Sequence, residues 1–272
     1  MNDGLDKPFT ISLASTSPNR LIGYEVRHVA VTGSTMDDMT NLASQDAKEG
    51  LVLVADEQTS GRGRHGRNWI SSPAKDLLFS ILFRPRPAIA VELQMILAMA
   101  IADTVDETCG VASSIKWPND VRVNDAKVSG ILLESSQGAH GLSVVAGVGL
   151  NVNSTLTGMD VGRGQAAVSM SDLSGFDMDR SIVLESLLSR VDSLYAEVRA
   201  GGTLVPAWRE RIETIGKQVE VTFTAGEPGR RVISGTAEDV DDSGRLLVRD
   251  ANGRLWPVSA GEVTLQSPVN NS

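Results

Sequence analysis

The chain has 272 residues, 41% of them apolar and 22% charged, with a formal net charge of −9. That length and composition suit a globular chain with one large domain and a small one, and the acidic balance argues against nonspecific nucleic-acid binding. A single cysteine, Cys109, excludes an intramolecular disulfide framework and Cys-rich zinc motifs, and His28, His65 and His140 lack metal-ligand spacing.

Residues 1–22 read as a disordered amino terminus, rich in Ser, Thr, Asn and Pro and without the apolar core of a signal peptide. Glu25 to Val31 alternates and predicts a strand. Ser34 and Thr35 before Asp37 and Asp38 are an N-cap signature, and the helix is expected to run to about Lys48, with Gly50 as its stop. Leu51 to Asp56 reads as a buried strand. It leads into Gly61-Arg62-Gly63-Arg64-His65-Gly66-Arg67. Glycines let a backbone approach a ligand closely, and arginines offer permanently charged forks for phosphate or carboxylate. The stretch therefore predicts a flexible loop that closes over an anion. It also fits Gly-x-Gly-x-x-Gly, but no helix follows through Asn68-Trp69-Ile70-Ser71-Ser72-Pro73, as a dinucleotide fingerprint requires.

Leu77 to Phe83 reads as another strand, and Ala88 to Cys109 as a long, mostly buried helix with Cys109 an inert core residue. Its apolar stretch, Leu93 to Val105, is interrupted by Gln94 and Asp103 and is too short to span a bilayer. The expectation is a cytoplasmic protein without membrane attachment. Ser114 to Trp117, Asp120 to Val123 and Ala126 to Ser135 predict a strand followed by a hairpin turning at Asn124-Asp125. In Ile115-Lys116-Trp117-Pro118-Asn119-Asp120, Pro118 ends strand pairing and aims Asn119 and Asp120 together. Lys127-Val128-Ser129-Gly130 follows, with Gly130 placed to let a flat ligand lie on the backbone. Leu142 to Val152 reads as a strand whose Gly147 and Gly149 admit a ligand or another backbone. A Gly- and Ser-rich loop over 154–178 is followed by helices at about 180–199 and 203–215. After Gly216 come five short strands, 219–224, 232–239, 246–249, 255–258 and 263–265, which suggest a small barrel.

The arginine loop, the Lys-Trp-Pro-Asn-Asp corner and the Lys-x-x-Gly-Ile-Leu strand, in this order, resemble a biotin–protein ligase. The resemblance extends from Ser34-Thr35 to Gly147-Val148-Gly149-Leu150-Asn151 and includes the small carboxyl-terminal unit. It implies an α+β fold, a mixed sheet flanked by helices as in class II aminoacyl-tRNA synthetases, with an SH3-like barrel at the end. The divisions expected are 23–215 for the biotin- and ATP-binding unit and 216–268 for the barrel. The implied reaction has two steps: biotin and MgATP give biotinyl-5'-AMP and pyrophosphate, and a lysine of a biotin carboxyl carrier domain of an acyl-CoA carboxylase then takes the biotinyl group.

By the same resemblance, Ser34, Thr35 and Gln58 hydrogen-bond the ureido ring. Arg62 and Lys127 hold the carboxylate and then the acyl phosphate. Gly61, Gly63, Arg64 and Arg67 form the loop, with Arg64 ordering it over the adenylate. Lys116 stabilises charge at the α-phosphate, Trp69 shelters the adenine, and Gly130 gives close approach. Asn119 and Asn151 are nucleotide- or metal-side residues, with no metal ligand assigned, and Asp120 either pairs with a loop arginine or orients the incoming lysine. The chain departs from the pattern in carrying Met36 where family members often have Asn. The 24 residues before the first strand are too few for a helix-turn-helix module of about 60 residues, so no DNA binding is expected. The oligomeric state expected is a monomer or weak homodimer. A lipoate or octanoate ligase on the same scaffold, and a nonenzymatic adaptor, are the rival readings.

Overall fold

The structure is a computed structural model that describes residues 20–156, 166–223, 231–259 and 261–265. Two sheets organise it. The first has seven strands: β1 (Glu25–Thr32), β2 (Leu51–Gln58), β3 (Leu77–Phe83), β4 (Ser114–Lys116), β5 (Asp120–Val123), β6 (Ala126–Gly138) and β7 (Gly141–Leu150). Their spatial order is β1-β2-β3-β7-β6-β5-β4. β1 and β2 run parallel and the other neighbours are antiparallel, which makes the sheet mixed.

The apolar runs of β2 and β3 are explained by burial on both faces. Side chains alternate across a strand. Val52, Val54, Leu77, Phe79, Ile81 and Phe83 belong to the large core that also holds α3 (Leu93–Cys109) and α5 (Arg180–Arg199). Leu51, Leu53, Leu82 and Val145 turn the other way, onto Met36, Met39 and Ala43 of α1 (Thr35–Ser44). The sheet is thus flanked by helices on both faces.

Several boundaries differ from the sequence reading. α1 ends at Ser44 rather than near Lys48, because Asp46 takes a left-handed φ of 63°. The long helix is split into α2 (Pro87–Ala90) and α3, and α3 closes on Gly110 in the left-handed conformation. Within the predicted 154–178 loop lies α4 (Met170–Ser174), opened by a capping box between Ser169 and Asp172. Residues 157–165 of that loop fall outside the described residues. α6 (Val205–Arg211) is shorter than expected and precedes the second sheet. Cys109 packs with its Sγ 3.7 Å from the carbonyl of Met170, and burial pushes its thiol up to about 11, in keeping with an inert core residue.

The second sheet holds β8 (Gln218–Phe223), β9 (Arg231–Val240), β10 (Leu246–Arg249), β11 (Leu255–Val258) and β12 (Glu262–Leu265) in the order β11-β10-β9-β8-β12, all antiparallel. The five predicted strands are present, with Thr224 outside the described residues. β11 and β12 are the two edges, no ladder joins them among the described residues, and the unit is an antiparallel sheet consistent with an SH3-like fold.

Candidate active site

The site lies where the first sheet meets β12. A small pocket of about 50 Å³ adjoins a larger chamber of about 180 Å³. Gly63, Arg64, Trp69, Asn119 and Lys127 line both, so they form the seam between them.

Apart from Arg62 at its mouth and Arg64 and Lys127 at the seam, the small pocket is built on uncharged groups. Ser34 stands at the N-cap position of α1, yet its side chain makes no cap hydrogen bond. Its Oγ is buried without a partner. A buried hydroxyl left unpaired is costly, and this one lines the small pocket instead of capping the helix. Thr35 begins α1, and both its N–H and its hydroxyl donate to Gln58 Oε1, at 2.8 and 3.0 Å. Ser80 Oγ in turn donates to Thr35 Oγ1 at 2.8 Å. The carbonyl end of the Gln58 amide is therefore used up, while its Nε2 has no hydrogen-bond partner among the described residues. Met36 is buried beside them and packs on Gly147, where an added Cβ would stand 2.6 Å from its Sδ.

Trp69 explains two more glycines. An added Cβ would meet its indole at 2.3 Å on Gly149, and on Gly130 it would meet Lys127 Nζ at 2.8 Å and the indole at 3.0 Å. The flat group against this backbone is thus the protein's own tryptophan, and Met36 occupies the corresponding place at Gly147. Side chains make close approaches at all three glycines. Lys127 Nζ lies 5.4 Å from the Trp69 ring centroid and 2.6 Å from Asp120 Oδ1.

The chamber concentrates positive charge. Lys116 ends β4 and is 8% exposed. Its ammonium makes no hydrogen bond or ion pair among the described residues. Burial, helped by the charges of Arg122 and Lys127, pulls its pKa below the usual lysine value despite Asp120. The Trp117–Pro118 peptide is cis, and the turn sends Asn119 back to β6, where its Nδ2 donates to the Ile131 carbonyl at 3.0 Å. Asn151 at the end of β7 donates to the carbonyls of Lys127 and Val168. Behind it, the buried carboxylate of Asp76 accepts from the backbone of Val152 and from the Ser154 hydroxyl, at 2.9 and 2.6 Å.

The arginine loop is organised as a tight hairpin with a 3₁₀ turn at Arg64–Gly66 and a bridge between Arg62 and Asn68. Its three arginines go to different places. Arg64 donates to Asn119 Oδ1 at 2.9 Å and to the Gly261 carbonyl at 3.1 Å. Arg67 pairs with Glu262 of β12. Arg62 is half-exposed at the mouth of the small pocket and donates to Asp37 Oδ1 at 2.7 Å and Glu134 Oε2 at 3.3 Å. Asp120 therefore pairs with Lys127, and the loop arginine finds Asn119 and a backbone carbonyl instead. Sequence reasoning missed the contributions of Gly261, Glu262 and Asp76. Only the Gly-Glu pair opening a predicted strand gave any signal. Gly61 lines neither cavity, and an added Cβ there would stand 3.0 Å from the Trp69 carbonyl.

A mixed sheet that carries a small hydrogen-bonding pocket beside a cationic chamber suits an enzyme that activates a carboxylate. Residues 29–151 match the Biotin/lipoate A/B protein ligase family and residues 214–265 the Biotin protein ligase C terminal domain. The biotin--[acetyl-CoA-carboxylase] ligase of Mycobacterium tuberculosis is 36% identical over 246 residues, covering 86% of each chain. The enzyme of that name from Paracoccus denitrificans is 33% identical over 234 residues, 83% of this chain and 95% of that one. The biotin protein ligase from Aquifex aeolicus solved with biotin and ATP superposes with a TM-score of 0.75 at 26% identity, over 90% of this chain and 100% of that one. The chain belongs to the biotin protein ligase family and is an enzyme of that family.

Proposed function

We propose that the protein activates biotin with MgATP and transfers it to a lysine of a biotin carboxyl carrier domain of an acyl-CoA carboxylase. The observation that carries this reading is the unpartnered, desolvated ammonium of Lys116 facing a chamber that opens directly from the Ser34–Thr35–Gln58 pocket. In the first step a biotin carboxylate oxygen bonds to the α-phosphorus and the bond to the pyrophosphate oxygen breaks. In the second, the carrier amine attacks the acyl carbon, the bond to AMP breaks and the amine loses a proton.

Bringing a carboxylate to a triphosphate sets like charges together, at a cost of about 4 kcal/mol per pair at 4 Å and an effective dielectric of 20. Lys116 offsets charge at the α-phosphate. Arg62 exchanges Asp37 and Glu134 for the biotin carboxylate, and Lys127 holds the carboxylate at the seam. Ser34 Oγ and Gln58 Nε2 are the free groups that read the ureido ring, while Thr35 orients Gln58. Trp69 walls the chamber beside the adenine, with Gly130 beneath it, and Asn119 and Asn151 serve the nucleotide side. Arg64 and Arg67 keep the loop shut. Magnesium is assigned to the substrate, MgATP. Among the described residues no group of three or more His, Cys, Asp or Glu could hold a metal ion, so no step is routed through a resident one.

The division at about 215 separates the biotin- and ATP-binding unit, 23–215, from the terminal unit, 216–268. No helix among the described residues is long and apolar enough to cross a membrane, and the reading places the enzyme with its carboxylase in the cytoplasm. The test is incubation with biotin, MgATP and a carrier domain. Mass spectrometry should show one biotinyl group on one carrier lysine. Transfer of lipoate in preference to biotin, or no transfer at all, would reject the reading.

A further inference from the structure

Lys116 has an unexpected foundation. β4 is three residues long, forms the edge of its sheet and pairs only with β5 there. Short edge strands open locally at little cost. Yet Lys116 must hold an ammonium still in a desolvated place, because misplacement of a catalytic charge is expensive in rate.

The missing support comes from the segment that joins α6 to β8. Ile212 bridges Ile115 in parallel, and the Glu213 N–H donates to the Ile115 carbonyl at 3.0 Å. The Glu213 carboxylate accepts from Ser114 Oγ at 2.7 Å and pairs with Arg122. Thr214 is fully buried, and its Oγ1 accepts from the Trp117 N–H at 3.0 Å. On the other side of the same peptide, the Lys116 carbonyl accepts from the Asn119 N–H at 3.2 Å. Both polar groups of the Lys116–Trp117 peptide are thus held, which fixes the direction in which the Lys116 side chain leaves the strand. The terminal unit adds a second strut: the Trp117 indole N–H donates at 3.0 Å to the carbonyl of Gly244, in the turn between β9 and β10.

We propose that Thr214, with the Gly244 carbonyl behind Trp117, is a positioning residue for Lys116. The segment between the two units then sets the adenylation rate without touching a substrate. This rests on the role given to Lys116 above. Thr214→Val keeps the size but leaves the Trp117 N–H unpaired, and Thr214→Ser keeps the hydroxyl.

The experiment compares biotin-dependent ATP–pyrophosphate exchange and calorimetric biotin binding in the two variants and the parent. Thr214→Val should lose about tenfold in kcat, with biotin Kd unchanged within about twofold, and Thr214→Ser should return to within about threefold of the parent. Full activity in Thr214→Val, an equal loss of rate and biotin affinity, or no recovery in Thr214→Ser would each overturn the proposal. Should Thr214→Val fail to fold, Trp117→Phe, which removes the strut to Gly244 together with part of a buried ring, decides: a fall in kcat with biotin Kd kept within about twofold supports the brace, and an unchanged kcat refutes it. A parent without biotin-dependent exchange would refute the ligase reading itself, an outcome distinct from an active parent matched by its Thr214 variant.

Discussion

The two parts of the cleft are built on opposite plans. In the small pocket, inside Arg62 at the mouth and the seam cations, the polar groups are neutral and mostly tied to one another, with Thr35, Gln58 and Ser80 in one chain of hydrogen bonds and Ser34 Oγ left over among the described residues. In the chamber, Lys116 is unpaired among the described residues and desolvated, while Lys127 and Arg64 are held at the seam by Asp120 and Asn119. The difference teaches where each kind of binding energy is placed. A neutral ring is recognised by preorganised dipoles that need no charge. On the proposed reading, a developing negative charge is met by a cation that no described group has already satisfied.

The largest effect expected is on that cation. Lys116→Ala should lower the rate of adenylation by about 10²–10³-fold, as removal of an electrostatic stabiliser does, while calorimetry finds biotin affinity within about twofold of the parent. An equal loss in affinity would show that the two halves are not separate. Gln58→Ala tests the other half. It removes both a ring contact and the acceptor for Thr35, so biotin Kd should weaken by about 10–100-fold, while kcat at saturating biotin stays within about threefold. A fall confined to kcat would invert the assignment.

How legible this was depended on whether a residue acts through its own chemistry or through what folds against it. Lys116, Lys127 and the arginine loop could be found because their spacing is local and their charges are unusual on strands. The layers were legible for the same reason: β2 and β3 are apolar without alternation. Gly130, Gly147 and Gly149 announced a close approach but not its partner, since nothing in a strand's sequence says that Trp69 and Met36 come to lie on it. The anchors of Arg64 and Arg67, at Gly261 and Glu262, lie nearly 200 residues downstream, beyond the reach of any local pattern. The end of α1 was misplaced because a positive φ at Asp46 is set by the turn into β2, not by helix propensity.

The seam supplies a third, smaller test. Arg64→Gly removes the hydrogen bonds to Asn119 and Gly261 and adds a flexible residue between two glycines. Adenylate should form but dissociate about tenfold faster, and exposed lysines of a bystander such as albumin should become labelled. Retention as long as in the parent would remove Arg64 from its latching role.

The smallest effect expected is one of pH. The folded state holds the Lys116 pKa below its ordinary 10.5, chiefly by burial. Between the folded value and 10.5 the unfolded chain binds more protons, so this group's contribution to stability rises with pH, while the charge needed for adenylation is lost. The exchange rate should therefore fall on an alkaline limb that begins below 10.5, and Lys116→Gln, slow throughout, should lack that limb. A limb preserved in Lys116→Gln would assign it to another group.

The most direct measurement is isotope exchange between pyrophosphate and ATP by the purified protein, with and without biotin. The account requires exchange that appears with biotin, saturates with it and is not supported by lipoate. Exchange independent of biotin, or none under conditions in which biotin is bound, would contradict it.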